Sequence, residues 1–326
     1  MKKIKIVHIP AKSTDFITFM SQLTEMLISN GYDSVSYNHF PHSFRALLGR
    51  TMSFTHFRNI ECKSAPAYLV PMCGVGLITG SMPWGLFSEI VPFLWDCWPQ
   101  NQKKLIKAID LLKCKLVFVT SSQVQKIFQK ECPNTQIVFI PEGIDTKIYN
   151  KGDILINRPL DIIEIGRHHH KYHDLILKME HERKLKAIYN TYDSNGKRIK
   201  TMASTIRDLA NLITTAKVAV SFPHCDTAPN YAGNIETLTQ RYWESMLSRN
   251  IIIGRAPKEL IDLIGYDPVI NVDWNSPESQ LLNILAHIGD YQSLVDKNYE
   301  AAQKFGGWEK RMDLITESLE KMGFVR

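Results

Sequence analysis

The stretch Leu160-Asp161-Ile162-Ile163-Glu164-Ile165-Gly166-Arg167-His168-His169-His170-Lys171-Tyr172-His173-Asp174 decides the fold. Its first six residues are mostly apolar and β-branched, the pattern of a parallel strand buried on both faces. Gly166 permits a tight turn, and helical spacing follows from about 170 to 182. A strand that feeds a turn and then a helix is half of a βαβ unit and implies a parallel sheet.

Reading outward, the same alternation continues in both directions. Downstream come a hairpin over 185–200 around Ser194-Asn195-Gly196, a helix at 204–215 and a strand at Val218–Phe222. A polar loop then runs to about 235. A helix at 236–248, a strand at 250–253, a helix at 257–264, a strand at 269–273 and helices to the end complete this series. Upstream, Lys3–Ile9 is a buried strand and 14–30 a helix that stops at Asn30-Gly31. Residues 45–90 resist assignment. Val91–Trp95 reads as a strand, 100–112 as a helix and Leu116–Thr120 as a strand. Ser121 caps a helix to about 130, and Gln136–Ile140 is a further strand. Gly143 and Asn150-Lys151-Gly152-Asp153 mark a boundary. Two α/β series in tandem imply two doubly wound domains, with ligands at the strand C-termini and in the cleft between them.

Composition agrees with this. The chain has 326 residues, 44% hydrophobic and 22% charged, which excludes disorder, a collagen-like chain and a disulfide scaffold. The six cysteines form no C-x-x-C pair, and no apolar leader follows the basic start, so a reduced, cytoplasmic protein is expected. The apolar stretch 65–98 is cut by eight Pro and Gly residues and cannot supply a spanning helix. The net charge of +6 sits wholly in residues 1–150, with 16 Lys and Arg against 10 Asp and Glu. That excess fits either an anionic partner or simply a basic, solvated surface.

Three constellations bear on chemistry. Glu236-Thr237-Leu238-Thr239-Gln240-Arg241-Tyr242-Trp243-Glu244 spaces two carboxylates by eight residues, roughly 12 Å along a helix. They fit either a sugar and a ribose flanking a diphosphate or two solvated helix glutamates. In the second constellation, Arg167 and Lys171 stand where both can reach a phosphate above a strand end. Adjacent histidines cannot all converge on one ion, and no carboxylate or thiol stands at ligand spacing in the sequence, so no metal site is expected. The third, Ile140-Pro141-Glu142-Gly143-Ile144-Asp145, is by itself a turn signal.

In this order and context the three resemble the C-terminal half of GT-B glycosyltransferases, close to glycosyltransferase family 4. Pro141-Glu142-Gly143-Ile144-Asp145 matches that family's turn at the end of its first domain. Gly166-Arg167 and Lys171-Tyr172-His173-Asp174 match the opening of its second domain, and Glu236 to Glu244 its paired glutamates. The chain departs from the family at Thr237-Leu238-Thr239, where Gly-Phe-Gly is usual, at Tyr172, and at Ile9-Pro10-Ala11-Lys12-Ser13-Thr14, which replaces a glycine-rich loop.

The resemblance implies two Rossmann-like domains facing a central cleft. The first is an acceptor domain over 1–152, with the helix at 309–326 packing back on it. The second is a nucleotide-sugar donor domain over 153–308, hinged at Gly306-Gly307-Trp308. It also implies transfer of a sugar from a UDP- or GDP-linked donor to a saccharide or lipid-linked acceptor, in cell-surface polysaccharide assembly and without a metal or other cofactor. The outcome would be retaining. Arg167 and Lys171 would neutralise the diphosphate, Glu236 would contact the sugar and Glu244 the ribose, with Thr237, Leu238, Thr239 and Arg241 between them.

Asp96, in Phe93-Leu94-Trp95-Asp96-Cys97-Trp98-Pro99, is the acid/base candidate at a first-domain strand end. It is equally a helix-capping aspartate between core tryptophans. No two aspartates lie two apart, so the D-x-D signature of metal-bound diphosphate chemistry is missing. A nucleotide-sugar epimerase of the same fold and a non-catalytic sugar-binding relative are the rival readings. No nucleic-acid recognition module is visible. Peripheral contact with an anionic membrane would account for the basic first half.

Overall fold

The computed structural model describes residues 1–10, 18–55, 60, 62, 64–192 and 198–326. The turn of the expected hairpin at 194–196 and residues 11–14 lie outside these. The first unit runs β1 (Lys2–His8), α1 (Phe19–Ser29), β2 (Asp33–Ser36), α2 (His42–Thr55), β3 (Ala67–Cys73), α3 (Leu77–Ser81), β4 (Ile90–Trp95), α4 (Pro99–Leu111), β5 (Leu116–Val119), α5 (Ser122–Glu131) and β6 (Gln136–Phe139). The second opens with β7 (Leu160–Glu164), α6 (His170–His181), β8 (Ala187–Tyr189) and the short pair β9 (Thr191–Tyr192) and β10 (Arg198–Lys200). It continues through α7 (Ile206–Ile213), β11 (Ala216–Ser221), α8 (His224–Thr227), α9 (Pro229–Ala232), α10 (Gln240–Leu247), β12 (Ile251–Gly254), α11 (Lys258–Ile264), β13 (Val269–Asn271), α12 (Pro277–Ala286) and α13 (Gln292–Phe305). The chain ends with α14 (Met312–Lys321) and β14 (Phe324–Val325).

Two parallel sheets organise these elements. The first has the order β14-β1-β3-β4-β5-β6, with β2 also paired to β1; the second has the order β13-β12-β11-β7-β8. Each sheet is covered on both faces, which is why its strands read as nearly unbroken apolar runs. Along β4, Phe93 and Trp95 enter one core while Leu94 enters the other. Along β7, Ile163 and Ile162 divide in the same way.

The chain passes between the units twice, at Pro141–Ile144 and at Gly306–Trp308. There the Ile144 amide donates to the Gly306 carbonyl at 2.9 Å. The buried Arg311 guanidinium ties the two passages by donating to the carbonyls of Pro141 (3.0 Å), Glu142 (3.3 Å) and Gly307 (3.2 Å). Gly143 lies so close to Trp308 that a Cβ would stand 2.9 Å from its ring. After this crossing Ile315, Leu319 and Phe324 join Ile4 and Trp95 in the core of the first sheet, and β14 pairs with β1. Among the described residues no helix is long and apolar enough to cross a membrane.

One gap is filled and two expectations are corrected. The unassigned span 45–90 holds most of α2, all of β3 and α3, and the first residue of β4. The helix expected at 236–248 begins only at Gln240, because Thr239 is still extended (φ −112°, ψ 158°) and takes the N-cap position. Ser121 occupies the N-cap of α5 without capping it; its hydroxyl instead donates to the Glu236 carbonyl at 3.0 Å.

Candidate active site

Both sheets present their strand C-termini to a shared cavity of about 520 Å³. From the first unit it is walled by Phe19, Cys73, Trp95, Asp96, Thr120 and Glu142. The second contributes Gly166, Arg167, Asn190, Ser221, His224, Thr237, Thr239 and Arg241. Asp96, Thr120, Gly166 and Asn190 each lie within two residues of a strand end, the position at which doubly wound sheets bind ligands.

Asp96 has a left-handed backbone (φ 52°), which aspartate tolerates better than most residues. The turn is closed by the Trp98 amide, which donates to the Asp96 carbonyl at 2.8 Å. Its carboxylate Oδ2 accepts from the Cys73 thiol at 3.1 Å, and burial together with the Asp96 charge keeps that thiol protonated. The neighbouring tryptophans are core residues: Trp95 stacks on Phe93 and Trp98 meets the edge of His224. Trp98 is N-cap of α4 by position, so Asp96 is not a helix cap.

Glu142 is buried, with Oε1 accepting from the Gln240 amide at 2.8 Å. Burial pushes its carboxyl up to about 8; the Gln240 hydrogen bond opposes this and the nearby Asp96 reinforces it. It is therefore largely protonated at neutral pH. His224 is held down to about 4 by burial and by the Arg167 charge, so it faces the cavity as a neutral imidazole.

Arg241 reaches the cavity from the first turn of α10, and Glu244 holds it from beneath. The Glu244 carboxylate is completely buried. It accepts from the Arg241 guanidinium (2.5 Å), the Tyr149 hydroxyl (2.9 Å) and the Gln240 side-chain amide (3.0 Å). Gly166 passes close to Arg241 with φ 84°, a conformation that favours glycine.

The structure therefore brings Asp96, Arg167, Thr237, Thr239 and Arg241 together around one cavity. Four of the expected residues lie off it. Glu244 is beneath the wall, and Leu238 is in the core. Glu236 turns away to the Arg255 guanidinium and the Lys258 amide. Lys171, exposed on the first turn of α6, borders a second cavity of about 470 Å³ with His169, Arg255 and Trp274. Arg167 and Lys171 thus face different cavities. The histidine run also divides: His169 packs on Phe222 and Trp274, whereas His168 stacks on His173 beside Glu164. A carboxylate does stand next to the imidazoles, contrary to the expectation from spacing.

Sequence reasoning missed Glu142 and His224. Glu142 lies inside the quoted Pro141–Asp145 turn, and His224 follows a strand end by three residues; that placement was the available signal.

Known structures share this architecture. The sucrose-phosphate synthase of Thermosynechococcus elongatus superposes with a TM-score of 0.65 at 14% identity, over 99% of this chain and 100% of that one. An alpha-glucosyltransferase solved with UDP and a 13-mer DNA gives 0.58 at 11% identity, over 97% and 100%. Anabaena HepE, solved with UDP, gives 0.55 at 12% identity, over 98% and 100%. No family model matches the chain, and no curated protein matches it in sequence. At these identities the likeness establishes the fold, which is the two-domain GT-B fold.

Proposed function

We propose that the chain is a glycosyltransferase that moves a sugar from a nucleotide-diphosphate donor, UDP- or GDP-linked, to a hydroxyl of a saccharide or lipid-linked acceptor. The observation that carries this reading is the shared cavity, where Arg167 and Arg241 of the second domain face Asp96 and Glu142 of the first. Two of the similar structures were solved with UDP, which supports a nucleotide donor here.

In the reaction the bond from the anomeric carbon to the diphosphate breaks and a bond to the acceptor oxygen forms. Negative charge grows on the diphosphate, and preorganised guanidinium groups stabilise it most where it develops. Arg167 takes that role, joined by Arg241, which Glu244 holds in place. Lys171 is not needed for it. Asp96 orients the acceptor hydroxyl and takes its proton. Glu142, carrying a proton, donates a hydrogen bond to the donor sugar. The arginines supply the charge that a divalent ion provides elsewhere, so we read the transfer as metal-independent, and by family resemblance as retaining. The setting we propose is cell-surface polysaccharide assembly, in the cytoplasm at the inner face of the membrane.

A thermal-shift screen of nucleotides and nucleotide sugars, followed by kinetics on the donor found, tests this. A donor at 100 times its Kd stabilises by about 2.7 kcal/mol. Arg167→Ala should lower kcat a hundredfold or more, while Lys171→Ala stays near wild type. Absence of stabilisation by every nucleotide tried, or an unchanged kcat in folded Arg167→Ala, overturns the assignment.

A further inference from the structure

β7 ends on Glu164, and the chain returns through His168 to His173 on α6. These three side chains converge: one ligand atom from each lies within 4.8 Å of the other two. Glu164 is only 2% exposed. Its Oε2 makes a short hydrogen bond with His173 Nδ1, while its Oε1, equally buried, has no hydrogen-bond partner. Burying a carboxylate oxygen unpaired is costly and calls for an explanation. The His168 and His173 rings stack with centroids 4.0 Å apart, and Tyr189 presents its ring edge-on to both. None of the three ligand candidates lines the donor cavity.

We propose that Glu164, His168 and His173 form a binding site for a divalent first-row transition ion, with Zn²⁺ the first candidate. Two imidazole nitrogens and a carboxylate oxygen are ligands that zinc accepts in three-residue sites, leaving a fourth position for water. Tetrahedral ligands at roughly 2.0–2.1 Å from the ion stand about 3.3 Å apart, so rotation of these side chains by an ångström or so closes the cage. The ion gives the unpaired Glu164 oxygen a partner. It also ties the end of β7 to α6, the two ends of the segment that carries Gly166 and Arg167. The proposal does not depend on the glycosyltransferase reading.

The test uses tag-free, full-length protein stripped by a chelator and titrated with Co²⁺ alone, then with Zn²⁺ alone. One equivalent of Co²⁺ should develop the visible d–d absorption of a low-coordinate site, and Zn²⁺ should abolish it. Glu164→Gln and His173→Ala should each weaken binding by at least the tenfold that loss of an outer partner already costs. His181→Ala, on an exposed histidine of the same helix, should not. No stoichiometric Co²⁺ spectrum in the wild type overturns the proposal regardless of how the variants fold. So does an undiminished spectrum in folded Glu164→Gln and His173→Ala, which would place the ion elsewhere.

Discussion

Glu142 shows how one residue can link stability to chemistry. An unfolded glutamate ionises near 4.5, whereas in the fold Glu142 does so at about 8, chiefly because it is buried. Between these values the native chain holds a proton that the unfolded chain has released. Stability must therefore fall as pH rises through this window and level off above it. The full difference is on the order of 3–5 kcal/mol. Glu142→Gln keeps an acceptor for the Gln240 amide and removes the titration. Urea unfolding at pH 5, 7 and 9 should show the variant gaining on wild type with each step, by that total. Parallel profiles for the two proteins would place the Glu142 proton elsewhere. His224 shifts in the opposite direction for the same reason, burial, with Arg167 adding to it. The cavity thus pairs a protonated carboxyl and a neutral imidazole with two guanidinium groups.

At the scale of elements, α10 is where the sequence misled most. Spacing places Glu236 and Glu244 eight residues apart but does not say where the helix starts. Thr239 starts it three residues after Glu236, so only Glu244 is helical. Spacing is also silent on depth: Glu244 is wholly buried beneath Arg241. Glu244→Ala should therefore act as a structural change rather than as loss of a ligand. It strands the Arg241 guanidinium and the Tyr149 hydroxyl, and removing one partner of a buried ion pair costs about 3–5 kcal/mol. Glu244→Gln, which still offers Tyr149 an acceptor, should cost less. Denaturant unfolding of both variants decides this, and a Glu244→Ala protein of wild-type stability would refute the buried-clamp reading. The strands were legible for the opposite reason. Ile162, Ile163 and Ile251 to Ile253 belong to sheets covered on both faces, so burial is written into their runs of apolar residues. α2 was not legible because Phe44, Leu47 and Phe54 lie on its exposed side while Arg45 is buried, which blurs the usual amphipathic pattern. For Glu142 the turn gave the position but not the depth: the groups that meet its carbonyl, Arg311 and Trp243, stand 169 and 101 residues away in the chain.

That inverted face of α2 matters for the whole molecule. The first 150 residues carry the entire net charge of +6, and on the same unit Phe44, Leu47 and Phe54 are 44%, 62% and 89% exposed beside the exposed Arg50. On the proposed membrane contact, an anionic surface would take the rings and the leucine into its interface and the charges at its headgroups. Two forces with different salt responses would then hold the protein. The electrostatic part is screened over about 8 Å at physiological ionic strength, whereas the apolar part is not. Full burial of one such side chain is worth about 1.5–3 kcal/mol, so half-insertion of the three gives about 2–4 kcal/mol, a thirtyfold or greater change in partitioning. Co-sedimentation with vesicles containing anionic lipid should therefore fall as salt rises but reach a floor above zero in the wild type. In the triple variant Phe44→Ser, Leu47→Ser, Phe54→Ser that floor should vanish while the salt-sensitive part persists. Equal recovery on neutral and anionic vesicles would remove the charge term and separate the basic excess from the membrane, whereas an unchanged floor in the triple variant would remove α2 from the contact and leave only the salt-sensitive part.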